Sequence, residues 1–188
     1  AGMLCFIGLY VAFAVKVPVW PFHTWLPDAH VEAPTPISML LAGILLKMGG
    51  YGFFRIAYPI LPEGAQWFGW AMALLGTINI VYGAFVALAQ TDFKRLVAYS
   101  SVSHAGFMLI AVAAANELGG RALLYYLIPY GSMSLGAFAV VASRERELGR
   151  PVTLDDLAGM GWERPFLGIA MWTFMLGFAG FPLTGGFV

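Results

Sequence analysis

Charge is what this sequence has least of. Ten lysines and arginines and ten aspartates and glutamates make up 11% of its 188 residues, where a soluble domain carries roughly a quarter. The two signs cancel to a formal net charge of zero, which leaves no basic field to draw nucleic acid. A glycine-rich loop of the Walker type is missing as well, so no phosphate cradle is to be expected. Cysteine occurs once, at Cys5, which excludes a disulfide or a thiolate metal site within the chain and says nothing of redox compartment. A Ser-His-Asp or Cys-His set with supporting context is lacking too, and with it the case for a catalytic triad. Low-complexity tracts and flexible interdomain linkers do not occur.

What the sequence has in quantity is apolar residues, 60% of the chain. Proline, glycine and charge clusters divide them into six segments, about 1–27, 36–61, 66–90, 95–115, 120–142 and 165–188, each near the ~20 residues that a helical membrane span needs. The expected fold is all-α: a polytopic transmembrane helical bundle of about six spans forming a single membrane domain over 1–188. Its constant partner is the lipid bilayer. The start lacks Met and the charged flank of a leader, and the last segment has no polar flank. A piece of a longer protein is therefore expected.

Lysine and arginine in the loops orient the bundle. The connections after the first, third and fifth segments hold Lys94, Arg95, Arg144, Arg146, Arg150 and Arg164, and those after the second and fourth only Arg55 and Arg121. The first set should face the cytoplasm or the equivalent negative side of an organelle membrane.

Against this background single polar residues stand out. Lys47 lies deep in the apolar run from Pro36 to Phe54, where a charge is costly and its default explanation is function. A structural buried ion pair is the alternative, and no acid is near it in sequence. Lys16 lies two residues before Pro18 in a stretch interrupted again by Pro21, the pattern of a broken helix whose freed backbone groups need partners. It marks an ion path at the break or else snorkels to an interface. His104 falls in the fourth segment with Ser100 and Ser101 one turn before it. It suits a proton relay, or a neutral packing histidine.

Secondary candidates follow. Lys94 stands at a span boundary as an anchor or a relay. Thr77, Asn79 and Tyr82 could hold water, and Tyr126, Tyr130 and Ser134 recur at four-residue spacing, which suits a polar path or interhelical hydrogen bonds. His23, His30, Asp28 and Glu32 gather in the first loop. Their spacing is not that of a helical metal pair, and a solvated rim or ion entrance is expected rather than a metal site. Gly49 to Gly52 are expected to let helices approach closely.

Two stretches carry a resemblance: Lys-Val-Pro-Val-Trp-Pro-Phe-His-Thr-Trp-Leu-Pro-Asp-Ala-His from Lys16 to His30, continued through Leu41 to Lys47, and Thr-Asp-Phe-Lys-Arg-Leu-Val-Ala-Tyr-Ser-Ser-Val-Ser-His from Thr91 to His104. The chain resembles the antiporter-like membrane subunits of respiratory complex I (NADH-quinone oxidoreductase), M-type over the first ~115 residues. After about 118, through Leu135 to Val141 and Val152 to Gly159, it is similar to the N-type paralogue, as in a fragment or hybrid. The resemblance implies inverted helical repeats with broken helices and a proton path of lysine, glutamate and histidine. Lys16 matches the family's lysine at the first broken helix, and Lys47 the bridging lysine on the next.

By the resemblance, the family's partner glutamate is expected on an earlier helix, and the ionisable residue of the second broken helix should come just beyond Val188. Where the M-type pattern has a histidine, this chain has Pro129, Tyr130 and Ser134. The implied activity is proton translocation as a subunit of NADH:quinone oxidoreductase in a bacterial inner membrane, or a mitochondrial or other energy-coupling one. Other complex I membrane subunits would be direct partners and the peripheral redox arm an indirect one. Redox cofactors are implied not here but in partner subunits, as FMN and iron–sulfur clusters. A subunit of an Mrp-type sodium/proton antiporter or membrane-bound hydrogenase is the alternative. A structural membrane subunit without its own ion path is a third.

Overall fold

Hydropathy and proline placement together dictate helices, and helices are what form. The computed structural model describes residues 2–182 and 184–186. The main elements are α1 (Gly2–Lys16), α2 (Trp25–Glu32), α3 (Thr35–Ile60), α4 (Pro62–Leu88), α5 (Phe93–Ala113), α6 (Glu117–Leu148) and α7 (Pro165–Phe178). Among the described residues the only strand-like pairing is a single bridge between Asp92 and Thr153.

Helices α3 to α6 are long and apolar enough to cross a membrane. The first and last apolar segments are helical but not straight spans. Helix α1 stops after 15 residues at Lys16, and the chain turns through the prolines before α2 begins. Helix α7 stops after 14 residues at Phe178, where Gly180 takes a left-handed φ of 68° that a helix cannot continue through. The fifth segment runs further than its apolar part: α6 continues to Leu148 and is closed by Gly149 at φ 68°. Elsewhere the ends obey local chemistry. Asp92 accepts a hydrogen bond from the Arg95 N–H at 3.0 Å to start α5, and Asn116 does so from Gly119 at 2.7 Å to start α6.

Glycine sets the contact between α4 and α5. A Cβ at Gly106 of α5 would lie 2.5 Å from the carbonyl oxygen of Gly76 in α4, and one at Gly76 would lie 3.0 Å from that of Gly106. The two backbones can touch only because both side chains are hydrogen. Gly49 and Gly52 likewise admit Val17 and Phe13, the close approach expected of them.

The charge pattern becomes an end of the bundle. Asp28 lies 3.9 Å from Arg95, Lys94 3.2 Å from Glu145, and Asp92 pairs with Thr153, so the connections after the first, third and fifth segments meet. At the opposite end the Tyr58 hydroxyl donates to the Val112 carbonyl. One apolar core joins α1, α3, α4, α5 and α6 around Phe6, Phe53, Met72, Leu109 and Tyr130. A second, nearer the basic end, joins α3, α5, α6 and α7 around Ala42, Phe138 and Val141.

Candidate functional site

Proline creates the first feature of the site. Pro18 cannot donate to the helix ladder, and the chain between α1 and α2 exposes backbone groups that lipid cannot satisfy. Asn79, fully buried on α4, supplies them. Its Oδ1 accepts from the Trp20 N–H at 2.7 Å, and its Nδ2 donates to the Pro18 carbonyl at 3.1 Å and more weakly to Val102 at 3.4 Å. The Trp25 indole N–H adds a bond across the break to the Val15 carbonyl at 3.0 Å. Asn79 is thus a clamp on the break, a role that hydropathy alone does not disclose.

The second feature is Lys47, only 6% exposed. It follows a π-turn over Leu41–Leu45, where the N–H of Leu46 reaches back five residues to the Leu41 carbonyl. Such turns loosen the ladder and recur at functional sites. The Lys47 ammonium donates to the Ala42 carbonyl and, at 3.3 Å, to the Ser134 hydroxyl. It also stands over the Tyr130 ring, 3.7 Å from its centre, an attraction strengthened by burial. Among the described residues no carboxylate pairs with it. Among the described residues the charge is held by dipoles and a π-face.

Tyr130 joins Lys47 to the third feature. The His104 ring packs against it at 4.7 Å between centres, and His104 Nδ1 lies 2.5 Å from the Tyr126 hydroxyl. Tyr126 and Tyr130, one turn apart on α6, are stacked. His104, Tyr126 and Phe178 also line a cavity of about 320 Å³. Amine, phenol rings, imidazole and cavity therefore form one contiguous seam across α3, α6 and α5, joined at Tyr130 through its ring, while the Tyr130 hydroxyl is buried without a hydrogen-bond partner among the described residues.

Not every residue picked out by sequence joins this seam. Lys16 is exposed at the end of α1, its stem against Gly49. Residues 47 and 49 diverge by about 200° around a helix, so the two lysines lie on different sides of α3. Ser100 is half-buried, and Ser101 is the buried member of the pair, bonded to the Val97 carbonyl at 2.9 Å.

Lys94 is buried and ion-paired with Glu145 rather than anchoring freely at the interface. His23 and His30, 2% and 0% exposed, are not a solvated rim. His23 is enclosed by Tyr82 and Tyr99, and His30 is stacked on Phe138. Interhelical packing, invisible in loop composition, buries them. Among the described residues no three His, Cys, Asp or Glu side chains converge as a metal site would require. Glu145 is not distinguished by the sequence, being one of two acids, with Glu147, in the basic run from Arg144 to Arg150.

Long apolar helices, a first span broken at mid-length and an amine buried between them define a polytopic membrane protein of broken-helix architecture. The chain belongs to the family described as NADH:quinone oxidoreductase/Mrp antiporter, TM, whose pattern matches residues 1–188. It is 41% identical over 181 residues to NADH-quinone oxidoreductase subunit M of Rickettsia bellii, covering 96% of this chain and 36% of that one. To NAD(P)H-quinone oxidoreductase chain 4 of Acaryochloris marina it is 41% identical over 187 residues, covering 99% and 35%.

The chain thus spans just over a third of the length of these curated relatives, and the likeness to M-type subunits runs on both sides of Leu118. A chain of respiratory complex I from Thermus thermophilus superposes with a TM-score of 0.88 at 31% identity, over 99% of this chain and 40% of that one. The Mrp complex of Dietzia shares the fold, with a TM-score of 0.84 at 24% identity over 92% and 32%.

Proposed function

We propose that this chain is part of a proton-translocating membrane subunit of an NADH-quinone oxidoreductase, embedded in a bacterial inner membrane among other membrane subunits of the complex. The observation that carries the proposal is Lys47: an amine buried in apolar helices, paired with no carboxylate among the described residues and held by groups that tolerate either protonation state. Such a group can give up or take a proton at lower cost than an amine locked to an acid.

Its proton passes toward His104 along the Ser134, Tyr130 and Tyr126 seam, with water completing the gaps. Lys16, on another side of α3, is coupled to Lys47 through the field across the helix. Ser100 and His23 flank the route. Electron transfer belongs to partner subunits that carry FMN and iron–sulfur clusters, and residues 1–188 act as one membrane domain with no redox chemistry of their own.

The test is Lys47→Met in the full-length protein within its complex. NADH-driven acidification of inverted membrane vesicles is expected to fall about tenfold or more, the scale at which a positioned proton carrier acts, while subunit assembly persists. Undiminished pumping sinks the proposal. Proton movement that demands sodium would move the assignment to the sodium/proton antiporter branch of the family.

A further inference from the structure

Beyond the seam around Lys47, one face of α6 carries a second series of ionisable contacts. Ser134, Phe138 and Glu145 are four and then seven residues apart, spacings that return to the same side of a helix. Each meets one group from another element. Ser134 lies 3.3 Å from Lys47 Nζ, Phe138 stacks on the His30 ring at 5.3 Å and 10°, and Glu145 lies 3.2 Å from Lys94 Nζ. At 1.5 Å per residue these levels cover about 16 Å, with His30 about 6 Å from the level of Lys47 and about 10 Å from that of Lys94.

His30 is fully buried, and among the described residues neither of its ring nitrogens has a hydrogen-bond partner. Only its backbone carbonyl is used, by the Ser38 hydroxyl at 3.1 Å. An aromatic ring placed there for packing alone would bury no polar atom, whereas two unpaired nitrogens cost desolvation and call for an explanation. The outer pair is also built. Glu145 accepts from the Thr35 hydroxyl as well as pairing with Lys94. Both side chains line a cleft of about 430 Å³ at the basic end of the bundle, together with Thr35, Arg146 and Arg150.

We propose that the Lys94–Glu145 pair is the gated entrance through which protons from the basic side of the membrane reach Lys47, with His30 as the carrier between them. Water in the cleft gives a proton to the Glu145 carboxylate, and the neutral acid releases the Lys94 ammonium. The freed Lys94 ammonium gives its proton through water to one ring nitrogen of His30, and the resulting amine takes the Glu145 proton, which restores the ion pair. His30 gives up the proton on its other nitrogen toward the neutral Lys47 amine, so that one proton enters and one leaves at every stage. At rest the ion pair closes the route, because separating two largely buried charges is costly.

This inference rests on the proton-carrying role of Lys47, so Lys47→Met is measured beside the new variants. Lys94→Arg keeps the cation and the ion pair but cannot release a proton. Glu145→Gln keeps an acceptor for Thr35 but cannot be protonated at neutral pH. Both are made in the full-length protein within its complex, and NADH-driven acidification of inverted vesicles is read against subunit assembly.

The expected result is a loss of about tenfold or more in pumping for both variants, with assembly intact. If either pumps at the native rate while Lys47→Met does not, the pair is only a latch and the entrance is overturned. If Lys47→Met itself pumps normally, the underlying function falls and the entrance with it.

Discussion

Lys47 Nζ lies 3.7 Å from the centre of the Tyr130 ring, and among the described residues this contact stands where an ordinary buried ion pair would have an acid. A π-face attracts the ammonium without offering a site for its proton. The amine is thereby stabilised as a cation and still free to discharge toward water or the neighbouring hydroxyl of Ser134.

Tyr130→Phe keeps that face and Tyr130→Leu removes it. The leucine variant is expected to lose about 2 kcal/mol of stability, the scale of a desolvated cation–π contact, and the phenylalanine variant far less. Thermal unfolding of the full-length protein in mild detergent checks this, and equal losses would assign the role to the hydroxyl instead.

Asn79→Leu should be among the most damaging single changes. It leaves the Trp20 N–H and the Pro18 carbonyl without their partner at membrane depth, at about 1–3 kcal/mol for each unsatisfied group. A melting temperature close to native for Asn79→Leu would show that water or another residue can serve the break.

Gly106→Ala and Gly8→Ala form a matched pair. The first pushes a methyl to 2.5 Å from the Gly76 carbonyl oxygen, and the second meets nothing within 4 Å. Overpacking costs about 1–3 kcal/mol, whereas alanine for glycine in an open helix position gains about 0.5–1 kcal/mol. Opposite shifts in thermal stability are expected, and shifts of the same sign would contradict the α4–α5 contact.

The connection after α6 should loosen in acid. Asp156 is bound by Arg150 at 2.5 and 2.8 Å and by the N–H and hydroxyl of Thr153. The Arg150 guanidinium, followed by these Thr153 bonds, holds its carboxyl well below the usual carboxylate range. A lowered pKa contributes order that is complete above the unfolded carboxylate value, near 4 on the model-peptide scale, and is lost as pH falls below it. Hydrogen exchange at Thr153 should rise below that pH in the native protein and be fast at all pH values in Asp156→Asn. Acid-independent protection would remove the clip.

Much of this was already legible in the chain. The apolar segments, the break at Pro18 and Pro21, the depth of Lys47 and the shared end of the basic loops all follow from transfer energies and from proline's missing N–H. These are properties of a residue and its near neighbours. The same logic overran at Phe178, because an apolar stretch continues past the left-handed turn at Gly180, and stopped short of Leu148, because a paired Glu145 can extend a helix beyond its apolar part.

The facing of side chains was not legible. A soluble helix announces its buried side by polar residues on the other, but membrane helices are apolar all round, so nothing local says how each is rotated against its neighbours. Sequence therefore placed Lys47, His104 and Tyr130 in three apolar segments. The packing of α3, α5 and α6 brought them into one seam, turned Lys16 to another side, enclosed His23 and His30, and gave Lys94 its acid. The sequence by itself determined that this protein is membrane-embedded, where its helices break and which amine lies deepest. Only the tertiary structure decided which polar groups meet, since those meetings depend on interhelical rotations fixed by close contacts such as Gly76 against Gly106.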